Sequence, residues 1–285
     1  MATIARNNRA GRQVIAHLLS DVGLYLRLIW MQIRSQGQYK ADMFINIGTY
    51  FLTTSLEFTT VFLYFANFPS LLGWTVGEVA MLYAVMSIGF GFSEMFGAGL
   101  DVFPDTIRLG EFDRVLLRPI SALLQVASSD FRLRRLGRIT QGIAALFIAT
   151  AFLPAFHWTL LKMVILLISV VSGTILFLSV WLLGATMCFW TVEPTEIVNI
   201  LTYGGRDMLT YPLNIYNQVM QRFFVFVVPL AFGTFVPVCY ILGKALPLGL
   251  PNNLVFASPA IAIAFFLVAR AIWQFGVRRY QSTGS

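Results

Sequence analysis

The sequence predicts an all-α membrane protein: six helices crossing a bilayer, with an amphipathic helix in the interface ahead of them. Three observations predict it. Of the 285 residues, 58% are hydrophobic and only 12% are charged, about half the charged share of an ordinary soluble domain. Mean hydropathy is +0.75. Apolar runs of roughly 20 residues, the length a hydrocarbon core of about 30 Å requires, recur along the chain, and the basic residues fall unevenly between them.

The opening stretch is the interfacial helix, over residues 12–36. Ile15, Leu18, Leu19, Val22, Leu26, Ile29 and Ile33 recur at helical spacing, while Arg12, Asp21 and Arg34 lie off that stripe. Such a pattern suits a helix lying on the inner membrane surface; packing on a soluble partner is the alternative, and Trp30 with the basic residues favours the membrane. The first 40 residues hold no apolar core of signal-peptide length, so no cleaved leader is expected.

Six spans follow within residues 43–275: Met43–Ala66, Gly77–Leu100, Ile139–Trp158, Met163–Trp190, Phe223–Leu246 and Val255–Phe275. Their orientation comes from Lys and Arg. Six of the 20 precede the first span and seven lie between the second and third. Arg206 and Arg222 lie between the fourth and fifth, and Arg270, Arg278 and Arg279 are near the end. With both termini cytoplasmic, 18 face the cytosol and only Lys162 and Lys244 face out. The net charge of +7 therefore reads as membrane topology rather than nucleic-acid binding. Cys188 and Cys239 sit in apolar segments, as small hydrophobes rather than metal or disulfide partners.

The densest charge lies in the loop at 104–138, in GEFDRVLLRPISALLQVASSDFRLRRLGR from Gly110 to Arg138. Phe112, Val115 and Leu116 share one helical face; Glu111, Arg114 and Arg118 share another, with Glu111 and Arg114 at pairing distance. Pro119 stops this short helix and can open the next, on which Ile120, Leu123, Leu124, Ala127 and Phe131 form a stripe. Arg132, Arg134, Arg135 and Arg138 then suit anionic headgroups. A loop that only sets topology explains the arginines, but not a short helix with an apolar knob and a proline stop. That helix suits docking in a partner's groove.

Here the chain resembles the permease subunits of type-2 ABC exporters, in particular the bacterial subfamily described as viologen- or multidrug-exporter permeases. LGEFDRVLLRPISALLQ resembles their cytoplasmic loop. YPLNIYNQVMQRFFVFVVPLAFGTFVPVCYILG resembles their later segment, with Tyr211, Pro212, Arg222, Pro229 and Pro237 at the matching positions. The resemblance implies one permease domain over 1–285 in a bacterial inner membrane. It also implies a second permease, identical or paralogous, and two ATPase subunits carrying the ATP and Mg. The coupling loop would comprise Gly110, Glu111, Phe112, Asp113, Arg114, Leu117, Arg118 and Pro119. Drugs, lipids and glycans all travel through such relatives.

This chain carries no G-x-x-x-x-G-K-[ST] phosphate loop, and no cofactor or metal site is expected. His17 and His157, the only histidines, fall on opposite sides of the predicted topology, which leaves a membrane enzyme little support. An ion- or proton-coupled carrier is the stronger rival, because Glu57 and Glu94 lie within spans, where a charge needs a reason. Counting residues puts Glu57 in the outer half and Glu94 toward the inner side, too far apart to pair directly. Either can line a pathway for cationic substrates. Pro229 and Pro237 interrupt the fifth span, as a hinge or by exposing backbone polar groups to the pathway, with static bends as the alternative. Gly89, Ser93 and Gly97, four residues apart, suit close helix packing, within the subunit or across a dimer.

Overall fold

The computed structural model describes residues 23–154, 156–191 and 198–281. Ile15, Leu18, Leu19 and Val22 of the predicted interfacial helix lie outside them. Residues 23–36 are helical (α1). Ile29 is buried against Ile88, Met95, Phe131 and Ile139, with Ile33 packed beside it, whereas Leu26 and Trp30 are exposed.

All regular structure among the described residues is helical, apart from one isolated bridge, Leu71–Trp74. The long helices are α2 (Lys40–Asn67), α3 (Val76–Phe96), α8 (Leu136–Ala151) and α9 (Leu160–Met187), with α13 (Ser258–Arg279) at the end. Between α3 and α8 lie four short helices: α4 (Ala98–Asp101), α5 (Phe103–Arg108), α6 (Phe112–Leu116) and α7 (Ala122–Ala127). Among the described residues, three helices are long and apolar enough to cross a membrane: α3, α9 and the continuous stretch Asn252–Arg279.

α3 occupies the centre. Almost all of it is buried, and it packs on α2, α8 and α9. Its start is fixed by a capping box: the Thr75 backbone N–H donates to Glu78 Oε2 at 2.7 Å, and Lys244 Nζ closes on the same oxygen at 3.1 Å. Missing side chains set its spacing from α8. A Cβ on Gly91 would lie 2.8 Å from Ile139, and one on Gly142 would lie 2.8 Å from Ile88.

The third predicted span is shorter than expected. α8 ends at Ala151, because the chain turns through Phe152 and Pro154 before α9.

The fifth is a different object from the one the hydropathy suggests. The chain rises along α3 first. A π-helical stretch, Ile200–Gly204, leads into α10 (Gly205–Thr210), with Val198 against Gly184 and Tyr203 against Trp181. α11 (Gln218–Arg222) then packs on Pro247–Gly249, at the face that carries Lys244. From there Phe223–Val227 runs back inward as a π-helix. The backbone breaks at Val228–Thr234, and α12 (Phe235–Leu242) leads out to Gly243 and Lys244.

Phe223–Leu246 is thus a hairpin that starts and finishes on one face, not a span. Its tip reaches the middle of α9, where Ser169 Oγ donates to the Gly233 carbonyl at 2.7 Å. The physical cause is the break: Pro229 has no N–H to continue a helix, and Thr234 leaves helical dihedrals altogether (φ −143°, ψ −64°). Pro237 disrupts nothing, because it stands in the first turn of α12, where the N–H groups have no helical acceptor. Consequently Arg222 lies on the face of Lys244, and Arg206 lies inside the helix packing rather than in a loop.

Candidate functional site

Two sites stand out: the α6 loop at one end of the molecule, and a charged cluster in its interior.

Gly110 turns the chain into α6 with φ +68°, a conformation that favours glycine. The helix itself is only five residues long, capped by Glu111 and Leu117. The apolar knob expected to meet a partner points the other way: Phe112 is fully buried. Its ring stands 5.2 Å from Phe103, 5.5 Å from Phe189 and 5.0 Å from Tyr280, with Trp273 at 6.4 Å. The exposed surface belongs to Glu111, Arg114, Leu116, Leu117, Arg118 and Pro119, with Leu117 85% exposed. The expected Glu111–Arg114 pair does not form, and among the described residues no carboxylate reaches Arg114 or Arg118. Asp113 lies beside Tyr280; burial and then that carboxylate push the Tyr280 hydroxyl above its ordinary pKa.

Sequence reasoning missed Gln125, whose Nε2 donates to the carbonyls of Val115 and Ile120, both at 3.0 Å. It ties α7 to both sides of the proline stop. Its one signal is a polar residue between the apolar stripes.

The arginines after α7 do not face headgroups as a group. Arg132 pairs with Asp130 at 2.8 Å and with Asp101 at 2.9 Å. Burial works to lower its pKa, and these two carboxylates outweigh that and leave it raised. Arg135 Nη1 meets Glu94 Oε1 at 2.9 Å, and Arg138 Nε meets Glu94 Oε2 at 3.1 Å. Arg138 Nη1 also reaches Glu57 Oε2 at 3.4 Å, and Arg206 Nη1 reaches the same oxygen at 3.5 Å. Arg138 therefore joins two carboxylates that the residue count placed at separate depths. Only Arg134 of the group lacks a carboxylate partner among the described residues, and it lies over the Tyr50 ring at 5.5 Å.

The Glu94 side chain is 2% exposed, against 37% for Glu57. Glu57, Arg138 and Arg206 line a cavity of about 240 Å³ with Thr60, Tyr83 and Asp207. With both guanidiniums on Glu57, the cavity is not the purely anionic wall that a cation-selective pathway would present.

The small residues of α3 meet α9 of the same chain. A Cβ on Gly89 would lie 3.7 Å from the Val170 carbonyl, and one on Gly97 would lie 3.0 Å from Leu178. Ser93 is fully buried and donates to the Phe90 carbonyl at 2.8 Å. Pro229 stands at the hairpin break and Pro237 beyond it, and neither lines the Glu57 cavity. Among the described residues no group of His, Cys, Asp and Glu is placed to hold a metal.

Residues 51–284 match the family described as ABC-2 family transporter protein. No curated protein and no solved structure matches the chain. The family match takes in the α6 loop, the charged cluster and the hairpin alike, so the chain belongs to the ABC-2 family of transporter proteins, the membrane permease components of ABC transporters.

Proposed function

We propose that this permease is the membrane half of an ATP-driven exporter in a bacterial inner membrane. α6 is its contact with a separate ATPase. Six crossings then comprise α2, α3, α8, α9, the broken stretch 198–217 and α13. The α6 face is cytoplasmic, and the hairpin dips in from the outer side. Two such permeases, identical or paralogous, flank the pathway, and two ATPase subunits hold the ATP and Mg.

The observation that carries this reading is the two-sided construction of α6. Outward it offers Leu117 between Arg114 and Arg118, the size and chemistry of a short helix for a groove. Inward it is rooted by Phe112 among rings from α5, the end of α9 and α13. A push on the exposed face is therefore delivered to two long helices. A proton-coupled carrier draws less support, since Glu57 and Glu94 both hold arginine partners.

The test is co-purification of the tagged permease from its native membrane. A stoichiometric ATPase is expected with the natural chain. Arg114→Glu with Arg118→Glu should reduce that association at least tenfold, the effect of about 1.4 kcal/mol, and leave membrane insertion intact. Undiminished association of the double variant would remove α6 from the interface.

A further inference from the structure

A second basic site lies beside the α6 root. Arg270, Gln274 and Arg278 follow one another at four-residue intervals on α13 and so share a face. With Ser121, Leu123 and Trp273 they line a cavity of about 300 Å³ between α13 and the start of α7. Among the described residues no acidic side chain lines it, and no carboxylate pairs with Arg270 or Arg278. Other polar cavities differ in this. The one at Glu57 also holds Asp207, and the one beside α1 holds Asp42 and Asp130. The basic cavity is also half apolar, through Leu123, Trp273 and Val277.

Its depth matters. Arg270 lies nine residues before the end of α13 at Arg279, about 13 Å along the helix. Its side chain is exposed on a helix whose neighbouring exposed residues, Leu267, Val268 and Ile272, are apolar. A guanidinium there must reach toward the headgroups or find an anion. A ligand satisfying both walls carries a phosphate for the two arginines and an acyl chain for the apolar side. Basic pockets between membrane helices at the cytoplasmic interface suit such a headgroup. We propose that this cavity binds the headgroup of an anionic phospholipid. Trp273 makes the site consequential: it lines the cavity and packs 5.0 Å from Phe103 in the cluster that roots α6.

The assignment needs the membrane setting but not ATP coupling, so it is tested apart from the exporter reading. Full-length protein in neutral detergent is titrated with phosphatidylglycerol, phosphatidylcholine or inorganic phosphate, and bound lipid is counted by native mass spectrometry. Phosphatidylglycerol should bind and the other two should not. R270Q/R278Q should lower its retention about tenfold or more, R270K/R278K should keep most of it, and K162Q/R222Q, two charges removed on the opposite face, should change nothing. Equal loss in R270Q/R278Q and K162Q/R222Q, or none in R270Q/R278Q, overturns the site. Displacement of the lipid by inorganic phosphate at equal concentration overturns the lipid and leaves a free-anion site.

The unsubstituted protein provides a second measurement should R270Q/R278Q fail to fold. Phosphatidylglycerol with brominated chains should quench tryptophan fluorescence more than brominated phosphatidylcholine. W273F should abolish that difference; its persistence in W273F, or its absence from the natural protein, overturns the proposal.

Discussion

Glu94 holds two arginines, Arg135 and Arg138, and among the described residues only Arg138 has a second carboxylate, Glu57. Its side chain is buried, as are those of Arg135 and Arg138. Replacing it with glutamine leaves Arg135 with no carboxylate among the described residues and Arg138 with only its 3.4 Å contact to Glu57, and removing one partner of a buried pair costs about 3–5 kcal/mol. Glu57→Gln should cost under about 1 kcal/mol, because Glu57 is partly exposed and its contacts are longer. Thermal unfolding in detergent checks the contrast: a marked loss for Glu94→Gln and a small one for Glu57→Gln. Phe112 and Leu117 make a second pair. Phe112→Ala empties a fully buried site and should destabilise by about 3–5 kcal/mol. Leu117→Ala should leave unfolding unchanged and weaken ATPase co-purification. The same co-purification and melting assays separate them. At this scale the sequence was a partial guide. It marked Glu57, Glu94 and the arginine run as needing a reason, but a count of positive charges carries no partners. Glu94 and Arg138 are 44 positions apart, and nothing local to either announces the other. Helical spacing puts Phe112 on an apolar face without saying which way that face looks.

Among the elements, the second, fourth and sixth predicted spans lie close to α3, α9 and the stretch ending at Arg279, because uninterrupted apolar runs leave the backbone one way to satisfy its polar groups. The fifth failed for a physical reason. Hydropathy scores Phe223–Leu246 highly, but a window sum is blind to reversal, and Pro229 and Thr234 permit one. The true climb along α3 holds Arg206 and Asp207, whose charges read as loop. The placement of Arg222 tests the hairpin. Arg222→Cys should react with an impermeant maleimide from the face where Lys244→Cys reacts, whereas Leu117→Cys should react only from the other. Cys188 and Cys239 are both buried, so background labelling should be low. Reaction of Arg222→Cys from the Leu117 side would restore a spanning fifth helix.

For the molecule as a whole, charge and contact divide the labour. The exposed cations Arg114 and Arg118 are on the α6 face, while Lys162 and Lys244 mark the other. The interior arginines are consumed in joining helices: Glu57 of α2 and Glu94 of α3 meet Arg138 of α8, and Arg206 just inside α10 completes the set. Four elements are therefore tied at one level, and the charge reversal at α6 should leave that tie, and hence the fold, untouched. The all-helical architecture and the position of the α6 loop could be read from the chain. The tie could not, because it exists only once four distant segments are brought together.

One consequence follows from α9. Near its end, Phe189 abuts the ring cluster about Phe112. Halfway up, Ser169 grips the Gly233 carbonyl, and Gly173 presses backbone to backbone on the hairpin tip. With no side chain on either glycine there is nothing at that junction to swivel. The turn that carries Phe189 and the tip of the hairpin are thus joined through one 28-residue helix, and a tilt imposed at its foot reaches the tip through continuous helical backbone.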